Sequence, residues 1–69
     1  MKIISHYCIG VNSKLVHAAI VENFSPPKAY DVAVKVNYHP QGYNLESEAV
    51  SKIGFYTYLV NWVSRNNCD

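Results

Sequence analysis

The sequence predicts a single α+β domain over residues 1–69, in which a three-stranded antiparallel sheet is packed by one C-terminal helix in the order β-β-β-α. Two strand-like segments flank a two-residue turn near the N-terminus, residues 30–38 alternate between apolar and polar, and residues 45–63 carry apolar side chains at helical spacing. Of the 69 residues, 49% are hydrophobic and 16% charged, which excludes a disordered chain and is enough for one small core.

The N-terminal segments predict a β-hairpin. Lys2–Val11 is rich in β-branched and aromatic residues, as strands are, and Asn12-Ser13 suits a two-residue turn. Lys14–Phe24 can then pair back onto the first strand. It also fits a helix, but its polar residues would scatter around the helical wheel, so the strand is preferred.

The two-residue turn sets the register of this hairpin, because it pairs Val11 with Lys14. The other expected pairs are Cys8 with His17, Tyr7 with Ala18, and Ile9 with Val16. One face is apolar and is expected to form the core: Ile3, Tyr7, Ile9, Val11, Val16, Ala18 and Ile20. The opposite face is mixed in polarity: Ile4, His6, Cys8, Gly10, Leu15, His17, Ala19 and Val21.

The middle of the chain predicts the third strand. Pro26 and Pro27 interrupt regular structure and favour an extended connector. Tyr30–Tyr38 follows with strict apolar and polar alternation, the pattern of a half-buried strand. Residues 39–43 are a predicted loop, and Asn44 is placed to cap the final helix.

Leu45–Val63 predicts the helix that closes the sheet. One helical face is apolar: Leu45, Ala49, Ile53, Tyr56, Val60 and Val63. The alternative is that Gly54 ends a short helix and Phe55–Val63 forms a further strand, which its aromatic and β-branched content favours. The order would then be β-β-β-α-β.

Charge and targeting signals restrict the function classes. The formal net charge is +1, and neither lysines nor acidic residues cluster, which disfavours strong non-specific nucleic-acid binding and acidic DNA mimicry. We find no apolar signal-peptide region and no membrane-length apolar run. Cys8 and Cys68 are therefore expected to be free thiols of a cytoplasmic protein, with a Cys8–Cys68 disulfide as the alternative.

One group of side chains is better suited to metal binding or catalysis than any other in the sequence: His6, Cys8 and His17. The predicted register projects all three from one face. A thiolate and two imidazoles are ligands of zinc and copper, but no established metal-binding spacing accompanies them. Cys8 with His17 as base also resembles a nucleophile pair. Since so short a chain has little room for a substrate pocket, we expect no enzyme, no metal and no cofactor.

The function is indicated by the aromatic residues that lie outside the helical face expected to pack on the sheet. Phe55, Tyr58 and Trp62 are expected on an exposed flank of the helix, extended by Tyr43 and Tyr38, unless the sheet bends far enough to bury them. Tyrosine and tryptophan supply much of the binding energy of protein interfaces. The sequence thus predicts a non-catalytic small binding protein: an inhibitor, adaptor or accessory subunit of the kind common on phages and other mobile elements.

The same surface also suits a homodimer, which would relieve the shortage of core in so short a chain. The alternative function is a nucleic-acid-binding module. Its platform would be Tyr30, Tyr38, Tyr43 and Lys35, whose rings can stack on unpaired bases.

Overall fold

The computed structural model describes residues 1–37 and 45–64, which form four strands and one helix. In chain order the elements are β1 (Lys2–Val11), β2 (Lys14–Glu22), α1 (Ala29–Asn37), β3 (Glu46–Gly54) and β4 (Thr57–Ser64). The strands form one antiparallel sheet in the order β1-β2-β4-β3, and α1 packs on one face of it. Within the described part of the chain, no helix is long and apolar enough to cross a membrane.

The N-terminal hairpin and its register are confirmed. β1 and β2 pair antiparallel with Val11 opposite Lys14 and Cys8 opposite His17, as the two-residue turn requires. Asn12 and Ser13 have φ angles of 50° and 64°, so both turn residues lie in the left-handed region. This is the type I′ geometry, whose twist matches that of the flanking strands.

Ser13 provides the first testable prediction, because a serine at a φ of 64° carries a Cβ penalty that glycine avoids. We expect Ser13→Gly to raise the free energy of unfolding by about 0.5–1 kcal/mol, measured by thermal or urea unfolding. Ser51→Gly is the matched control: it lies within β3, where glycine is expected to destabilise by a similar amount. A lower melting temperature for Ser13→Gly would contradict the turn assignment.

The third strand predicted at Tyr30–Tyr38 is wrong, because the structure has the helix α1 there. Val32, Val34 and Val36 alternate, but the buried stripe follows the helical spacing instead: Ala29, Val32, Ala33 and Val36. Asp31 in the first turn and Lys35 in the last suit the helix dipole. Alanines supply half of this stripe, and an alternation count overlooks them.

The C-terminal helix predicted at Leu45–Val63 is also wrong, and so is the fold order β-β-β-α. β3 and β4 occupy this segment, and the helix lies between strands. β4 alternates strictly, with Tyr58, Val60, Trp62 and Ser64 buried and the residues between them half-buried. The alternative reading placed a strand at Phe55–Val63 correctly, but Gly54 ends β3 and not a helix.

The core lies on the opposite face of the hairpin from the one expected. The helix covers the mixed face, where Ala19 and Val21 are buried with His17. No helix or strand of residues 1–37 and 45–64 covers the more apolar face. A β-bulge between Ile3 and Ser5 returns Ile3 to the covered side. The predicted loop at 39–43 and the cap at Asn44 lie outside the described residues.

Candidate functional site

Three aromatic rings stack side by side under the helix, one from each of three neighbouring strands. Cross-strand pairing places His17 of β2 opposite Trp62 of β4, and His6 of β1 two residue pairs further along, on the same face. The His17 and Trp62 ring centroids are 4.8 Å apart with planes 9° from parallel, and those of His6 and His17 are 5.3 Å apart at 11°. These rings fill the centre of the covered face.

Hydrogen bonds join this stack into a network centred on His17. Its Nδ1 lies 3.1 Å from Nε2 of His6, and its Nε2 lies 2.9 Å from Oγ of Ser64. A neutral imidazole has one donor and one acceptor nitrogen, so Ser64 donates when His6 accepts, and accepts when His6 donates. Both bonds are satisfied in either arrangement.

The network favours the uncharged form of both histidines. Burial, and to a smaller extent the neighbouring His6, together lower the pKa of His17 to about 4. Burial also lowers the pKa of His6. If both rings were doubly protonated, two N–H groups would face each other across 3.1 Å, so the pair holds at most one added proton.

Ser64, His17 and His6 are connected like a nucleophile, its base and the residue that orients the base. Ser64 is only 1% exposed, however, and a carbonyl carbon would have to approach its Oγ to within bonding range. Burial of the hydroxyl to this degree prevents that approach. We therefore interpret the cluster as a polar network of the core.

The metal candidates His6, Cys8 and His17 share one face, as the register predicts, but no metal-binding group of three exists among the described residues. Cys8 Sγ lies 3.9 Å from His17 Nε2. Cys8 is disulfide-bonded, so the prediction of a free thiol there is wrong: the absence of an export signal does not determine the redox state of a cysteine. Cys68 lies outside the described residues.

The structure separates the predicted partner-binding residues. Tyr58 and Trp62 belong to the core, so their expected exposure on a helix flank is wrong. Phe55 is 85% exposed in the β3–β4 turn. Tyr38 and Tyr43 lie outside the described residues.

Phe55 belongs to an exposed aromatic group at one end of the sheet, which we name the aromatic tip: Phe24, Phe55 and Tyr56. The Tyr56 ring centroid lies 4.9 Å from that of Phe55 and 5.2 Å from that of Phe24. The backbone N–H of Asn23 donates to the backbone carbonyl of Tyr56 at 2.9 Å, which links the segment after β2 to the β3–β4 turn. The aromatic tip is therefore an exposed aromatic surface, and one of its residues, Phe55, is among those that the sequence predicted to contact a partner.

A larger apolar surface lies on the side of the sheet away from the helix. We name it the open face: Tyr7, Ile9, Val11, Val16, Ala18, Ile20, Leu59, Asn61, Val63 and Ala49. Tyr7 and Ile9 are 67% and 63% exposed, although strand residues of this kind are usually covered. No helix or strand of the described residues packs over it. Exposed apolar patches of this extent mark interaction surfaces.

Charges on the open face are confined to its ends. Lys14 Nζ and Glu46 Oε2 form an ion pair at 3.1 Å, which crosses one end of the face over Val63. Glu22 lies at the opposite end of β2. The centre of the face is uncharged, with Asn61 as its most polar side chain.

Basic side chains lie close together elsewhere, on the helix side of the sheet. Lys2 and Lys35 line a shallow cavity between the start of β1 and the end of α1, together with His6. Ile3 and Val36 form its apolar wall. The two ammonium groups make this cavity suited to an anionic group.

The chain matches no protein-family model, and neither the curated proteins nor the solved structures include a significant match. The candidate sites therefore rest on geometry alone.

Sequence reasoning missed Ser64 and the open face as functional features. The signal for Ser64 was the alternation of Tyr58, Val60 and Trp62, which continues to it once the segment is read as a strand. The signal for the open face was the surplus of apolar residues itself: the hairpin has two faces able to be buried, and residues 1–37 and 45–64 contain a single helix to cover them.

Proposed function

We propose that this chain is a non-catalytic binding protein whose contact surface for a protein partner is the open face. The observation that carries the proposal is the exposure of Tyr7 and Ile9 on an uncharged, regular sheet surface. Inhibitors, adaptors and accessory subunits work through such surfaces.

Physical chemistry supports a protein as the partner. An uncharged apolar face gains free energy by losing contact with water, at about 25 cal/mol per Å². It offers nothing to a phosphate backbone, since its one lysine, Lys14, is already paired with Glu46. Interfaces between proteins have this composition: an apolar centre with charge at the rim.

Two lysine substitutions test the location of the contact. Ile9→Lys places a charge in the centre of the open face, and Phe55→Lys makes the same kind of change on the aromatic tip. In affinity capture we expect Ile9→Lys to recover at least tenfold less of each protein partner than the original chain does. Phe55→Lys should recover as much as the original chain. Circular dichroism must show that both variants stay folded.

Other outcomes would overturn the proposal. Loss with Phe55→Lys alone would transfer the contact to the aromatic tip, where the sequence predicted part of it. Salt-dependent retention on single-stranded DNA or RNA, abolished by Lys35→Glu, would favour the nucleic-acid-binding alternative.

The sequence predicted a cytoplasmic location because it shows neither an export signal nor a membrane-length apolar run. The disulfide at Cys8 argues against that location, since disulfides are rare in a reducing compartment.

A further inference from the structure

Resting on the proposed function, we infer that the partner of the open face is a second copy of this chain, and that the two sheets pack face to face about a two-fold axis parallel to the strands.

Side-chain size across the open face carries the inference. Its residues form rows perpendicular to the strands, and one row runs Tyr7, Ala18, Asn61, Ala49 from β1 to β3. The β1 end of that row is large and exposed, whereas the β3 end is small. A surface of this shape is complementary to its own reversed copy.

A two-fold axis that runs along the strands between β2 and β4 performs that reversal. Each row then faces itself in the opposite direction, so Tyr7 meets Ala49 of the second copy. In the neighbouring rows Val16 meets Val63, and Ile20 meets Leu59, both from the second copy. At the edge of the face Ile9 lies opposite Glu46 of the second copy, whose carboxylate is ion-paired with Lys14. Two-fold interfaces require such self-complementarity.

Asn61 explains why this orientation is specific. It lies between Ala18 and Ala49 in the sheet, and the reversal seats it over Ala18 of the second copy. The small alanine leaves room for the amide. The two Asn61 side chains then lie on either side of the axis, where they can hydrogen-bond to each other as buried polar groups must.

Charge and area agree with a second copy. The Lys14–Glu46 ion pair makes one end of the face neutral, and Glu22 at the other end lies opposite Lys2 in the β1–β2 pairing, so two copies bring no excess of one charge together. The four strands, about 4.8 Å apart, share the span that pairs with Val16–Glu22 of β2, which gives each face a projected size of about 19 by 23 Å. Two such faces bury on the order of 1,000 Å², the lower limit for a specific interface, which predicts a micromolar dimer.

Sedimentation velocity of the full chain, from about 1 µM to about 500 µM, tests the inference across the affinity expected of such an area. We expect a reversible rise from the monomer mass to twice that mass. Asn61→Asp puts two carboxylates beside the axis, so it should raise the dissociation constant at least tenfold. Phe55→Asp adds the same charge at the aromatic tip and should leave the dimer unchanged.

Ala18→Leu is the second variant, because it adds no charge and fills the space predicted for Asn61 of the second copy. It should weaken the dimer while thermal unfolding shows a folded chain. A monomer at every concentration, or a dimer insensitive to both Asn61→Asp and Ala18→Leu, would overturn the inference. The capture experiment with Ile9→Lys is independent of this result, so a monomer that still loses a different protein partner in Ile9→Lys would overturn only the identity of the partner.

Discussion

Replacing His17 with alanine is expected to remove about 3–4 kcal/mol of stability, a large part of the roughly 3–10 kcal/mol that a chain of this length possesses. The imidazole is fully buried, so its removal leaves a cavity beside Trp62. Ser64 and His6 also lose the hydrogen-bond partner they share, and a buried hydroxyl left unpaired costs about 1–3 kcal/mol. Urea unfolding followed by tryptophan fluorescence measures the loss.

Two further variants separate the network from simple loss of volume. Phe55→Ala removes a larger ring from the surface and should change the stability by less than about 0.5 kcal/mol. Ser64→Ala in a His17→Ala background should cost less than Ser64→Ala alone, because the two residues share one hydrogen bond. If the two costs are instead additive, the 2.9 Å contact contributes nothing to stability.

Trp62, in the same cluster, provides a prediction with a smaller expected effect on stability. Its indole Nε1–H is buried and has no hydrogen-bond partner among the residues that the structure describes, which offsets part of the gain from burying the ring. Trp62→Phe removes that donor while keeping a stacked ring on His17. We expect a loss of about 1–2 kcal/mol by urea unfolding, well below the 3–5 kcal/mol typical of deleting a core aromatic.

The hairpin was predictable because its structure is local. A two-residue turn between two β-rich segments determines the pairing of every residue behind it, so the placement of Cys8 opposite His17 followed from counting alone. Which face is buried is not local. It depends on where the helix docks, and the helix packs on the face that carries His17 and Ala19.

The errors in the second half arise from patterns that fit two periods. Val32 and Val36 belong to both a two-residue and a helical repeat, and the adjacent Ala29 and Ala33 decide for the helix. In the last segment Tyr56, Val60 and Val63 gave a helical stripe, while Tyr58, Val60 and Trp62 gave a strand. Pairing with β2 decided the second case, and pairing is a tertiary interaction that no single segment encodes.

The candidate site was predictable in kind but not in position. An excess of apolar surface over what one helix can cover is a property of composition and remains in the structure. Its assignment to Phe55, Tyr58 and Trp62 followed from the wrong secondary structure. Because Tyr58 and Trp62 are buried in the core, the excess of exposed apolar surface lies instead at residues such as Tyr7 and Ile9.

Acid is expected to destabilise the fold between about pH 6.5 and about pH 4, well before most carboxylates are protonated. The pKa of His17 is lowered from 6.5 to about 4 in the folded chain, and that of His6 is lowered as well. In this interval the unfolded chain binds protons that the folded chain excludes. Stability is therefore complete above pH 6.5 and falls as the pH decreases, by on the order of 2–3 kcal/mol at pH 4.

Urea unfolding at several pH values across this interval measures the effect, with His17→Gln as the control. Glutamine keeps hydrogen-bonding capacity toward Ser64 but does not titrate, so the difference between the two chains isolates the contribution of His17 from that of the carboxylates. We expect the original chain to lose stability on acidification and the variant to lose much less. Parallel curves for the two chains would show that His17 is protonated as readily in the fold as in the unfolded chain, and the buried, neutral network would then be wrong.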